Sequence, residues 1–283
     1  MHFKISLIIL LSSLFSQIGL AQKKPLTHEV YDQWKDIDAQ QISNNGEHVV
    51  YEVNPAQGDG NLYLHQTNEN STQTFSRGQQ PTFTYDSRFV VFKIAPPYDT
   101  VRHMKLADKK DEDLPKDSLA FIDMESGQIA GEYERIKSYR LPEKAGGWLA
   151  FLHESPLDSA TESEEGSTQT DNNALTTVLK VKADKPEGNE LVLVNLETKE
   201  EWRYERVNSY LFSEDGSRLA FTQVAGDSTG SAGVITFDTE LQNVFPIDTG
   251  KVSYKQLTLS RDGSSVAFLA SEDSLKADDR YHH

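Results

Sequence analysis

The one stretch with the spacing of a catalytic motif is Gly226-Asp227-Ser228-Thr229-Gly230, which satisfies the G-x-S-x-G formula of a nucleophile elbow. That formula does chemistry only on a sharp strand-to-helix turn, where the Ser hydroxyl stands above a sheet within reach of a histidine. Here Leu219 to Val224 leads in as a strand and Gly233 to Phe237 leads out as another. A Gly/Ser/Asp/Thr-rich stretch between two strands is a hairpin loop, and the match reads as coincidence. Eight histidines are present, none in an H-E-x-x-H or other close ligand pair inside the domain, and nothing is drawn from the terminal His282-His283. The acidic run Asp111 to Asp113 lacks the Gly and the ligand spacing of a calcium loop. Glycoside cleavage needs two carboxylates across a cleft, and 44 acidic residues offer no way to select a pair. Asn70-Ser71-Thr72 matches a glycan acceptor, which matters only on a eukaryotic secretory route. The absence of cysteine excludes disulfides, thiolate metal sites, a Cys nucleophile and a lipoprotein anchor. The sequence therefore assigns no catalytic, cofactor-binding or metal-ligating residue, and no cofactor is expected.

What the sequence does specify is the framework. One pattern recurs five times: a turn pair, then a short aliphatic or β-branched run closed by an aromatic. The copies are Asn45-Gly46-Glu47-His48-Val49-Val50-Tyr51, Asp86-Ser87-Arg88-Phe89-Val90-Val91-Phe92, Gly146-Gly147-Trp148-Leu149-Ala150-Phe151, Asp215-Gly216-Ser217-Arg218-Leu219-Ala220-Phe221 and Asp262-Gly263-Ser264-Ser265-Val266-Ala267-Phe268. Ser43, Ser213 and Ser260 precede three of them. Asn-Gly and Asp-Gly accept the positive φ of a tight hairpin. A run apolar on both faces suits an inner strand sandwiched between neighbouring sheets. Alternating strands follow, such as Asn61 to His65, Ser118 to Asp123, Glu190 to Asn195 and Gly233 to Asp238, so each unit holds at least three antiparallel strands. The turn pairs lie 41, 60, 69 and 47 residues apart, and the short intervals match a propeller blade. The fold expected is all-β: a partial β-propeller of about five blades over residues 38–283.

The two long intervals imply insertions near 95–117 and 153–189, both read as solvated loops. The first contains Pro96-Pro97 and the charge run Asp108 to Asp113, and the second is poor in hydrophobics from Thr161 to Asn173. Before the repeats, residues 22–37 form a helical segment: Val30, Trp34 and Ile37 share one face and Thr27 can cap it, so Trp34 is expected to pack on the first blade.

Residues 1–21 have the layout of a signal peptide: Lys4, the apolar run Ile5 to Phe15, then Gly19-Leu20-Ala21 before a cleavage point at Gln22. A periplasmic or secreted location follows. The formal charge of −16 repels phosphate backbones and anionic lipid, so no nucleic-acid partner and no membrane contact after signal cleavage are expected.

Tyr31-Asp32-Gln33-Trp34-Lys35-Asp36-Ile37, Ile42-Ser43-Asn44-Asn45-Gly46-Glu47-His48-Val49-Val50-Tyr51 and Leu114-Pro115-Lys116-Asp117-Ser118-Leu119 resemble segments of exported bacterial serine peptidases of the prolyl oligopeptidase family. The Ser-x-Asp-Gly-x-x-Val-Ala-Phe unit also occurs in other exported propellers, the TolB type among them. The resemblance implies an N-terminal propeller that limits access to a C-terminal α/β-hydrolase domain with a Ser–Asp–His triad, and a peptide substrate reached through that domain. The sequence stops at His283, inside a blade, so it reads as a fragment without the hydrolase domain. No triad residue can be transferred to it. The competing expectation is a stand-alone exported propeller that binds a protein or polysaccharide. A third, a glycosidase or lyase propeller, hides its carboxylates among the ordinary acids.

Overall fold

The computed structural model describes residues 34–154, 188–225, 232–250 and 253–271. The described residues form antiparallel sheets, each built as an up-and-down meander. Unit 1 comprises β1 (Lys35–Ile42), β2 (His48–Pro55), β3 (Asn61–Gln66) and β4 (Ser71–Ser76). Unit 2 comprises β5 (Gly78–Phe83), β6 (Phe89–Ile94), β7 (Ser118–Asp123) and β8 (Gln128–Tyr133). A seven-stranded sheet follows: β9 (Ile136–Arg140), β10 (Trp148–His153), β11 (Asn189–Asn195), β12 (Glu201–Phe212), β13 (Arg218–Gln223), β14 (Ala232–Asp238) and β15 (Asn243–Gly250). A last pair consists of β16 (Ser253–Leu259) and β17 (Val266–Ser271).

The seven-stranded sheet is two four-stranded units sharing one long strand: unit 3 runs from β9 to the first half of β12, and unit 4 from the second half of β12 to β15. Glu201 to Val207 of β12 pairs with β11, and Val207 to Phe212 pairs with β13. Between the halves Arg206 adopts φ 58°, and its carbonyl accepts the Val224 N–H at 2.9 Å. The same junction recurs elsewhere: Arg77 (φ 60°) accepts from Ala95 at 2.9 Å, and Arg135 (φ 58°) accepts from Glu154 at 2.7 Å. So the outer strand of one unit passes through a left-handed arginine into the inner strand of the next.

Successive units stack face to face. Val50, Leu62 and Leu64 of unit 1 pack on Val90, Phe92, Ala120 and Ile122 of unit 2. The opposite face of unit 2 (Phe89, Val91, Leu119, Phe121) packs on Leu149, Phe151, Val192 and Val194 of unit 3. Unit 3 then packs through Trp148, Ala150, Leu191 and Leu193 on Leu219, Phe221 and Phe237 of unit 4. The second strand of each middle unit is thus buried on both faces, as the apolar runs in the sequence require. Among the described residues the array does not close on itself.

Two local expectations are corrected. Lys35 to Ile37 are strand, not helix: Lys35 pairs with Pro55 and Ile37 with Val53, so the sheet ladder overrides the helical spacing. Trp34 is 56% exposed, and Thr27 to Gln33 lie outside the described residues. The first insertion is not simply a solvated loop. It carries α1 (Tyr98–Leu106), a short turn of 3-10 helix at Asp111–Asp113 and the buried Leu114. The Tyr98 N–H is capped by Asp59 Oδ1 at 2.8 Å, an acceptor from the β2–β3 loop of unit 1 that no local sequence signal reveals.

Candidate functional site

The recurrent turn builds one rim of the molecule. In four copies a Ser or Thr hydroxyl donates to the Asx side chain two residues on and accepts the N–H five residues on. These are Ser43 with Asn45 and His48, Thr84 with Asp86 and Phe89, Ser213 with Asp215 and Arg218, and Ser260 with Asp262 and Ser265. Hydrogen bonds from the Ser260 and Ser264 hydroxyls depress the Asp262 carboxyl to about 2. For Asp215 burial acts upward, but hydrogen bonds from Ser213 and Ser217 outweigh it and the net shift is down.

Neighbouring turns are tied together. Asn44 Nδ2 donates to Tyr85 O at 2.7 Å and the Asp215 N–H to Arg261 O at 3.2 Å. In the third copy Lys144 stands where the others have Ser or Thr. It donates its N–H to Glu214 O at 2.7 Å and pairs its ammonium with the Glu214 carboxylate, which also takes Arg261 Nε at 3.3 Å.

Below the rim the inner strands β1, β5, β9 and the second half of β12 stand side by side. Gln41 Nε2 donates to Pro81 O at 2.8 Å, joining β1 to β5. Tyr139 joins β9 to β5 through a hydrogen bond to Gln80 O and a 3.0 Å contact with Thr82 Oγ1. Tyr210 joins β12 to β9 through Ser138 Oγ at 3.0 Å. Burial pushes both phenols up to about 12, so they stay neutral at any physiological pH. Strands β1, β5 and β16 each carry a bulge at a left-handed residue: Ala39 (φ 49°), Gln80 (φ 52°) and Gln256 (φ 51°). The Gln80 N–H freed by its bulge donates to the buried Glu52 carboxylate at 2.6 Å.

These strands frame an open groove. Its main cavity, about 640 Å³, is walled by Gln41 and Ile42, by Gln80 to Tyr85 and by Tyr139 to Glu143. A second cavity of about 270 Å³ shares Arg140, Leu141 and Glu143 with it and runs on to Phe212, Leu259 and Arg261. Ile42 and Tyr85, 63% and 49% exposed, offer apolar surface at the mouth. The lining mixes amide, aromatic and aliphatic side chains with two arginines, Arg140 and Arg261, and two glutamates, Glu143 and Glu214.

The residues weighed for chemistry lie elsewhere. The Gly226 to Gly230 match lies outside the described residues. His48 is buried with no described partner for Nδ1, His65 contacts Thr72, His103 sits on α1, and His153 contacts Glu134 O and Glu190. Asp111 to Asp113 are exposed. No group of three or more metal-binding side chains stands together among the described residues. The sequence did hold a signal for the groove that the turn-based repeat passes over. Arg135-Ile136-Lys137-Ser138-Tyr139 and Arg206-Val207-Asn208-Ser209-Tyr210 are a second repeat, setting the junction arginine and the tying tyrosine four residues apart.

No protein-family model and no curated relative matches the chain. Among solved structures it is similar to an acylaminoacyl peptidase from Pyrococcus horikoshii, at 11% identity and a TM-score of 0.45, covering 84% of this chain and 36% of that one. It is similar to the β-propeller domain of the Trilobed protease from Pyrococcus furiosus, at 12% identity and a TM-score of 0.44, covering 88% and 67%. It is also similar to an oligogalacturonate lyase solved with manganese, at 12% identity and a TM-score of 0.45, covering 87% and 60%. The chain thus spans about a third of the length of the acylaminoacyl peptidase.

Proposed function

We propose that this chain is the β-propeller portion of an exported serine peptidase of the prolyl oligopeptidase family, restricting access to a hydrolase domain carried elsewhere in the protein and docking peptides for it. The row of inner strands, tied edge to edge and opening on a continuous groove, carries this reading. The leader layout of residues 1–21 and the motif resemblance at Tyr31 to Ile37, Ile42 to Tyr51 and Leu114 to Leu119 support it. In this role the segment filters and positions substrate while the chemistry lies outside it.

The test is the intact mass of the native protein in the periplasm or medium of the cells that make it, detected with an antibody to residues 22–283, together with labelling by a fluorophosphonate serine probe. A species far heavier than 31.8 kDa that takes the label, and keeps it after Ser228→Ala, is the expected result. An unlabelled species at or just below that mass overturns the reading in favour of a stand-alone binding propeller. Loss of labelling with Ser228→Ala would overturn the view that this segment is catalytically inert.

A further inference from the structure

Arg140 is common to both cavities of the groove, and no acid among the described residues holds it. Of the groove's basic groups, Arg261 is paired with Glu214, and Lys144 at the rim pairs with the same carboxylate. Among the described residues Arg140 has no carboxylate within salt-bridge distance. Its guanidinium lies over the Tyr210 ring, 5.8 Å from the centroid. A guanidinium held over a ring by its charge still has its N–H fork for a bidentate acceptor, and the ring reduces the rotamer freedom lost on binding. The anchor is itself fixed, because Tyr210 is buried and its hydroxyl is tied to Ser138. A held guanidinium with no carboxylate partner among the described residues, lying within a groove, is locally complementary to an anion.

The rest of the lining suits a peptide. Gln41 and Asn44 use their amide N–H groups on Pro81 O and Tyr85 O, and among the described residues nothing engages their amide oxygens, which leaves two acceptors for backbone N–H groups. Ile42 and Tyr85 add exposed apolar surface to the lining of the same cavity.

We propose that the groove selects extended peptides bearing a carboxylate, with Arg140 as the group that reads it. This rests on the peptide-docking reading above. Planar bidentate pairing is what guanidinium and carboxylate geometry favours. The carboxylate can belong to an Asp or Glu side chain or to a peptide C-terminus, and the two sources share the same chemistry.

The experiment is fluorescence anisotropy with the full chain and three fluorescein-labelled probes. The first is Gly-Leu-Asp-Phe-Gly-Ala amide, the second its Asn-for-Asp counterpart, and the third the Asn peptide with a free C-terminal acid. The Asp amide is expected to bind about tenfold tighter than the Asn amide. If the free-acid Asn peptide matches it, the terminal carboxylate is also read; if not, the side chain is the source. Arg140→Gln is expected to erase the preference and Arg140→Lys to retain part of it, with an unchanged near-UV circular dichroism spectrum. Glu143→Gln is expected to leave it intact or strengthen it. Equal binding of all three probes to the unaltered chain, or a preference that survives Arg140→Gln, overturns the inference. A protein that passes the mass and serine-probe tests yet shows no carboxylate preference refutes this inference alone.

Discussion

Tyr210 Oη lies 3.0 Å from Ser138 Oγ, joining the inner strand of one unit to that of the unit before it. Tyr139 makes the equivalent reach to Thr82, also at 3.0 Å, one unit earlier. Each phenol is largely buried with its single polar atom satisfied across a unit boundary, so the pair acts as a lateral tie. Tyr210→Phe keeps the packing and removes the tie, and is expected to cost about 1 kcal/mol. A shift in the urea midpoint with an unchanged slope is the readout; no shift means that the tie contributes nothing.

Phe221 is fully buried between units 3 and 4, its ring 4.6 Å from that of Tyr204. Phe221→Ala is expected to cost about 3–5 kcal/mol, because units packed on both faces cannot collapse into the cavity. Urea unfolding followed by tryptophan fluorescence checks this through Trp148 and Trp202, which belong to the same cluster.

Gly216 combines φ +71° with close approach by a neighbouring turn, where an added Cβ would lie 2.7 Å from Ala145 Cβ. Gly216→Ala is expected to destabilise by about 1–2 kcal/mol from backbone strain alone. Gly46→Ala, with similar φ and open space around the new methyl, isolates that strain. Thermal midpoints of the two variants separate the contributions, and equal losses would remove the role assigned to the Ala145 contact.

His48 is buried, and burial holds its imidazole below the ordinary value of 6.5, against a smaller upward pull from Glu47. The unfolded chain therefore binds a proton more readily than the folded one. A stability penalty sets in as pH falls below 6.5 and grows until the folded pKa is reached. Urea midpoints at pH 7.5 and 5.5 are expected to differ, and His48→Gln to narrow the difference. An unchanged gap in the variant would assign the pH dependence elsewhere.

The turn carboxylates act at lower pH. Asp215 and Asp262 are both depressed below 3.8 in the folded state, so their contribution is present above that value and is lost as pH falls through the folded pKa, about 2 for Asp262. Asp215→Asn is expected to lower the urea midpoint at neutral pH and flatten the acid limb of the midpoint-against-pH curve. An unaltered acid limb would contradict this.

The sequence by itself determined the periodic part of this protein. Short apolar runs such as Phe89 to Phe92 and Leu219 to Phe221 can be satisfied only by burial on both faces, and Asp-Gly and Asn-Gly pairs only by a tight turn, so residue types a few positions apart settle the matter. Repetition of the pattern then implied stacked units. The groove could not be read this way, because it lies where inner strands from different units meet. Arg140 and Tyr210 are 70 residues apart and come together only once the units stack. Lys35 to Ile37 and α1 fell to the same cause: a ladder to Val53 and Pro55 drew a helical pattern into a strand, and a cap from Asp59 steadied a helix inside an apparent loop. Local pattern encodes which face of a strand is buried; only the tertiary arrangement decides which side chains from distant strands share a cavity, because that contact is set by how the sheets stack.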